Sequence, residues 1–294
     1  MSVISFRWQQ RLTGLVASLL LCSAPLVCAE QAAVVKQARA AAQPLVMGEQ
    51  FLISSAYLTR ARQINVSLPT DYQNQPAQSY PLIVVLDGGL DQDFPHLAGL
   101  AQFLSFPWLK QMPASIVVGL SNDDRKHDFT FPSQDPRDLA DFPTTGGSAQ
   151  FIQFITEGLL PELAERYRIN EQRVLIGQSL GGLLASEILQ SHTKLFSHYL
   201  IVSPSLWWDN GSLLKRPLVA QQHFSKVFVA VGKEGEVMEG DAQAWHQKLQ
   251  QQYGVASVAF QFYPELNHGD TLHLAAYDGL KWLFSEASQD KAKQ

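Results

Sequence analysis

Val174-Leu175-Ile176-Gly177-Gln178-Ser179-Leu180-Gly181-Gly182, running on into Leu183-Leu184-Ala185-Ser186-Glu187-Ile188-Leu189, decides how this chain is read. A β-branched apolar run stops at a glycine, and a helix-compatible segment begins a few residues later, so the order is strand, sharp turn, helix. The turn itself is G-x-S-x-G. Such a turn holds its serine in a strained backbone conformation and lifts the hydroxyl clear of the sheet, while glycines two places either side let strand and helix close on one another. The N–H of Leu180, at the start of the helix, faces any oxygen that gains negative charge beside Ser179. The pattern therefore predicts a nucleophile with half an oxyanion hole; the plain alternative is a glycine-rich turn with a capping serine.

Outward from that stretch, strand and helix patterns alternate from about residue 50 to 285. Phe51–Leu58 and Arg62–Leu68 read as an antiparallel entry hairpin, the second strand alternating Ile64, Val66 and Leu68 with polar neighbours. Apolar runs at 81–86, 115–119 and 227–231 have the composition of parallel strands buried on both faces, and 199–202 and 258–262 read as further strands, the latter the last. A crossover helix is predicted at Phe94–Leu104, and another runs from Ser148, a candidate cap, to about Tyr167 with Pro161 bending it. Further helices carry Ala242, Trp245 and Leu249, and then Leu272 to Leu283 with Thr271 as a cap. The fold class is α/β: a mostly parallel central sheet with helices on both faces and an antiparallel N-terminal hairpin. In such sheets chemistry collects beyond the carboxyl ends of the strands.

The first residues read as an address label. Arg7 and Arg11 precede the apolar run Leu12–Cys22, Pro25 breaks it, and Val27-Cys28-Ala29 offers a cleavage site before Glu30. The predicted organisation is a signal peptide at 1–29, a flexible lead-in at 30–48, the catalytic-type domain at 49–287 and a polar tail at 288–294. Cleavage would leave 265 of the 294 residues and remove both cysteines, Cys22 and Cys28. A thiol-free chain suits a periplasmic or secreted location and excludes a cysteine nucleophile and a thiolate metal site. The net charge is −5 for the full chain and about −7 without the two leader arginines, and no basic patch is left for nucleic acid. No stable membrane insertion is expected after cleavage.

Three strand ends carry the remaining candidates. After 81–86 come Asp87-Gly88-Gly89, where an N–H of Gly88, Gly89 or Leu90 can complete the oxyanion hole if this strand neighbours the one leading to Ser179. After 227–231 come Gly232-Lys233-Glu234-Gly235-Glu236, and after 258–262 comes Asn267-His268-Gly269. A serine hydroxyl needs a base to take its proton, and the base needs a carboxylate to set its tautomer. His268 alone among the eight histidines follows a plausible acid in a glycine-flanked loop after the last strand. Glu234 and Glu236 both qualify as that acid; the greater reach of the outer residue favours Glu236. Trp207 and Trp208 point in different directions at a strand end, one toward the core and the other toward the cleft. In the long loop 121–147, Arg125 either binds substrate or pairs with Asp128 to hold the loop.

Taken together, Tyr80-Pro81, Val85-Leu86-Asp87-Gly88, Val118-Gly119, Arg125, Asp128-Phe129, Gly177-Gln178-Ser179-Leu180-Gly181-Gly182, Ser203-Pro204-Ser205-Leu206-Trp207-Trp208 and Asn267-His268-Gly269 resemble the esterase D-like esterases over roughly residues 50 to 285. Within that group the chain is most similar to the periplasmic branch with siderophore trilactone esterases of the enterobactin and salmochelin type. The resemblance implies an α/β-hydrolase fold, Ser179 as nucleophile, His268 as base, and oxyanion donors at the backbone of Gly89 and Leu180. It places Gln178 in the cleft wall, where many members have histidine. It implies a serine carboxylic ester hydrolase with no cofactor and no metal, acting on a small ester or lactone. Arg125 and the tryptophans would suit a catecholate siderophore lactone, and a simple aryl or short-chain ester fits as well. A non-catalytic binding protein of the same fold, and an acyltransferase using the same serine, are the alternatives.

Overall fold

The computed structural model describes residues 45–192, 194–219 and 224–285. The leader at 1–29, most of the lead-in and the tail fall outside the described residues. In chain order the elements are β1 (Glu49–Ile53), β2 (Arg62–Ser67), β3 (Tyr80–Val85), α1 (Phe94–Leu104), β4 (Ile116–Leu120), α2 (Arg125–Asp128), α3 (Pro136–Asp141), α4 (Ser148–Gln153), a π-helical turn (Phe154–Leu159), α5 (Leu160–Arg166), β5 (Ile169–Gln178), α6 (Leu180–Ser191), β6 (His198–Val202), α7 (Trp208–Lys215), β7 (Lys226–Gly232), α8 (Glu236–Tyr253), β8 (Val258–Tyr263) and α9 (Thr271–Leu283).

The sheet order is β1-β2-β4-β3-β5-β6-β7-β8. β1 pairs with β2 and β2 with β4 antiparallel, and every pairing from β4 through β3 to β8 is parallel. The side-chain alternation of β3 shows why its run is continuous: Leu82 and Val84 enter one core, Ile83 and Val85 the other. On the first face Leu82 and Val84 share their cluster with Leu183 and Leu184 of α6 and Trp245 of α8; on the second, Phe94 and Leu97 of α1 share theirs with Ala275 and Leu280 of α9. The expected α/β-hydrolase architecture, with helices on both faces and an N-terminal hairpin, is the one observed. Among the described residues no helix is long and apolar enough to cross a membrane.

Local expectations needed correction at four points. β1 stops at Ile53, short of Leu58, because the chain turns through Ser55–Leu58, where the Leu58 N–H donates to the Ser55 carbonyl. The helix from Ser148 is not simply bent at Pro161; it widens into the π turn just before α5. Proline has no N–H and its ring crowds the carbonyl four residues back, so the preceding turn must open to place those carbonyls. Ser148 is the first residue of α4, with Gly147 at its cap position. Likewise Thr271 begins α9 and Asp270 holds the cap position.

Candidate active site

Ser179 sits between β5 and α6 with φ 59° and ψ −120°, a left-handed conformation costly for any residue with a Cβ. The flanking backbone explains Gly177. A Cβ there would lie 2.3 Å from the Gly181 carbonyl oxygen, so strand and helix meet at a distance only hydrogen permits. Three backbone hydrogen bonds lock the turn: Ser179 N–H to Val202 O at 3.1 Å, Leu183 N–H to Ser179 O at 3.0 Å, and Ser205 N–H to Ser179 O at 3.1 Å. Its hydroxyl lies 3.4 Å from that of Ser205. As the first residue of α6, Leu180 has an N–H with no acceptor inside the helix.

β5, β6, β7 and β8 run parallel side by side, so the segments after them rise at one edge of the sheet. Two residues past β7, the Glu234 carboxylate accepts from His268 Nδ1 at 2.5 Å. Its other oxygen accepts from the Ser203 hydroxyl at 2.5 Å and from the Gly232 N–H at 2.9 Å, with the Thr271 hydroxyl at 3.4 Å. The carboxylate is 2% exposed, whereas His268 is 48% exposed. Burial works to raise the Glu234 pKa, but hydrogen bonds from His268, Ser203 and Gly232 outweigh it and hold the carboxyl below its ordinary value. It therefore stays ionised at neutral pH.

The geometry corrects the expectation for the acid: His268 meets Glu234, not Glu236. At Gly235, with φ 90°, the chain turns into α8, and Glu236 is the exposed first residue of that helix. The N–H groups of Glu234 and Gly235 are taken up by Glu239 Oε1, each at 2.9 Å, which fixes the turn. Reach along the chain was the wrong criterion. The Glu234 side chain folds back over the end of β7, and Glu236 is carried off by the helix.

Arg125 pairs with neither Asp128 nor open solvent. Its guanidinium grips Asp87 through Nε at 2.8 Å and Nη2 at 2.9 Å, with its face 5.7 Å from the Phe129 ring centre. Asp128 is buried against Arg62 at 2.7 Å instead. Asp87 has φ 54° and also accepts from Asn122, so Arg125 anchors the turn at the end of β3. That strand does neighbour β5. In the turn, Gly88 N–H donates to Leu120 O at 2.7 Å and Gly89 N–H donates to the Gln92 side chain at 3.0 Å. Gln178 donates to the His268 carbonyl at 2.6 Å, tying down the histidine loop.

A cavity of about 550 Å³ joins Ser179, Glu234 and His268 with Ser205, Trp207, Lys233, Met238 and Asn267. Trp207 lines it, while Trp208 is fully buried and donates to Phe131 O at 2.9 Å. Ser203, Lys233 and Met238 escaped the sequence reading. Ser203 alone had a legible signal, since it follows β6 directly, next to the strand that leads to Glu234.

Residues 55–281 match the Esterase family. The chain is 28% identical to the ferri-bacillibactin esterase BesA of Bacillus subtilis over 182 residues, which span 56% of this chain and 61% of that protein. The matched segment thus covers about three fifths of the relative's length. Among solved structures, an IroE-like serine hydrolase from Shewanella oneidensis aligns with a TM-score of 0.71 at 30% identity, over 81% of this chain and 80% of that one. The BES protein of Bacillus cereus aligns with a TM-score of 0.70 at 28% identity, over 83% of this chain and 98% of that one.

Proposed function

From a chain that belongs to the Esterase family, we propose a serine carboxylic ester hydrolase that works through an acyl-Ser179 intermediate. The observation that carries this is the 2.5 Å contact between His268 and Glu234 in the cavity that also holds Ser179 at its strained turn. Glu234 holds the Nδ1 proton of His268, leaving Nε2 free to take the proton of the Ser179 hydroxyl as the oxygen attacks the ester carbonyl. The C–O π pair moves onto the carbonyl oxygen, and the backbone N–H groups of Leu180 and Gly89 stabilise that charge. Gly89 exchanges its Gln92 partner for the oxyanion. His268 then protonates the departing alkoxide, and water repeats the sequence on the acyl-enzyme.

We place the enzyme in the periplasm or outside the cell, acting on a small lactone of the iron-chelator class. The similarity to BesA, named as a ferri-bacillibactin esterase, supports that class. So does the cavity wall: Trp207 offers an aromatic face and Lys233, paired with Glu239 at 3.1 Å yet 65% exposed, a cation, which suit an anionic aromatic ester. The test is a fluorophosphonate adduct mapped to Ser179, together with turnover of p-nitrophenyl acetate to octanoate and of a cyclic catecholate trilactone. Ser179→Ala should lose several orders of magnitude in rate. Full activity in that variant would overturn the mechanism, and an untouched trilactone beside rapid turnover of simple esters would overturn the substrate class.

A further inference from the structure

On the second face of the sheet, α1 and α9 bring two imidazoles together. His96 Nε2 and His273 Nδ1 lie 3.2 Å apart, with ring centres 5.0 Å apart and planes inclined at 38°. Two ring nitrogens facing each other at that spacing share one proton when the pair stands alone. The same spacing is also close to an edge of a metal coordination shell. With Zn–N bonds of about 2.0–2.1 Å and tetrahedral angles, two nitrogen ligands of one zinc ion lie about 3.3–3.4 Å apart. Little movement of either helix is needed to admit an ion.

We propose that His96 and His273 form a two-histidine site for a divalent first-row transition ion, Zn²⁺ or Cu²⁺, that staples α1 to α9. Imidazole is the ligand type these ions favour. The bridging proton moves to the outer nitrogen of its own ring, so each imidazole presents a lone pair and stays neutral. Both residues are exposed, so the ion can enter and complete its shell with water. Among the described residues no group of three metal-ligating side chains gathers, so the pair supplies the protein's whole contribution.

The placement gives the staple a consequence. α1 begins at Phe94, just beyond the Asp87-Gly88-Gly89 turn, and α9 begins at Thr271, three residues past His268. An ion there ties the element behind the oxyanion turn to the element behind the base. No step of the ester chemistry passes through it.

The experiment is calorimetric titration of untagged, EDTA-treated mature protein with ZnCl₂, and electron paramagnetic resonance with one equivalent of CuCl₂. Expected are saturable binding at one ion per chain and a Cu²⁺ spectrum with two nitrogen ligands. Loss of even an outer-shell partner costs about 10–100-fold in metal affinity, so His96→Gln and His273→Gln should each weaken binding at least that much, while His268→Gln should leave it intact. Circular dichroism checks that the variants fold, and the two-nitrogen spectrum of the unmodified protein stands without them. The proposal is overturned if no saturable binding occurs up to about 1 mM, if His96→Gln and His273→Gln bind as well as the parent, or if only His268→Gln loses the ion. These readouts do not depend on esterase activity.

Discussion

Replacing Glu234 by glutamine tests the site most directly, because the structure dictates what an amide can do there. One carboxylate oxygen accepts from the Ser203 hydroxyl and the Gly232 N–H; the other accepts from His268 Nδ1. A glutamine must turn its NH₂ one way or the other. If its oxygen stays with Ser203 and Gly232, the NH₂ faces His268 and forces Nδ1 to accept, moving the imidazole proton to Nε2, the nitrogen that receives the serine's proton in the proposed mechanism. If it turns round, the NH₂ opposes the Gly232 N–H at about hydrogen-bond distance, leaving two donors facing each other in a site that is almost wholly buried. The first outcome is the wrong tautomer, and in serine-protease triads the equivalent acid-to-amide change lowers kcat about 10⁴-fold. We expect a fall of roughly 10³–10⁴ for Glu234→Gln, equivalent to about 4–5.5 kcal/mol of transition-state stabilisation. Glu236→Gln should stay within about twofold, as an exposed substitution usually has little effect. The assay is kcat for p-nitrophenyl butyrate at pH 8, with thermal melting to show that both variants are folded. If Glu234→Gln keeps a tenth of the activity, or if Glu236→Gln is the weaker enzyme, the reasoning is wrong.

Other consequences follow from the same geometry. Gly177→Ala drives a methyl group to 2.3 Å from the Gly181 carbonyl, backbone against backbone, and should lower stability by about 1–3 kcal/mol with a melting point a few degrees lower; an unchanged melting curve would refute the close approach. Burial, and then repulsion from Asp87, raise the Asp93 pKa to about 6 against partial relief from Arg125. A carboxyl raised in the folded state brings no penalty below about pH 4, where it is protonated folded or unfolded, and its full penalty above about pH 6. Asp93→Asn should therefore stabilise the protein at pH 8 by about 1–2 kcal/mol after allowance for solvent screening, and do little at pH 4; urea unfolding at both values checks the sign. Arg125→Ala frees the Asp87 turn and should slow simple esters and anionic aromatic esters alike, by about ten- to a hundredfold; a selective loss on the anionic ester would mean that the arginine reads substrate.

What the sequence determined by itself was whatever rests on short-range pattern. The β-branched runs, the Phe94–Leu104 helix and the G-x-S-x-G turn each follow from periodicity or from a local steric demand, and each is where the chain pattern places it; the entry hairpin forms too, with its first strand ending at Ile53. That Trp207 and Trp208 diverge was legible, but not which of them enters the core: Trp208, also expected at the substrate, is fully buried, and Trp207 lines the cavity. What only the tertiary structure decided were choices between residues almost equally placed along the chain. Glu234 and Glu236 are two positions apart, and the turn at Gly235 that leads into α8 separates them. Arg125 had Asp128 one helical turn away, yet met Asp87 across 38 residues, because β3 and β4 lie side by side. Ser203 and Thr271 close around Glu234 only because β6, β7 and the loop after β8 end at the same edge of the sheet. Spacing in sequence sets which elements form; which side chain fills a shared volume is set by the elements that arrive there from elsewhere in the chain.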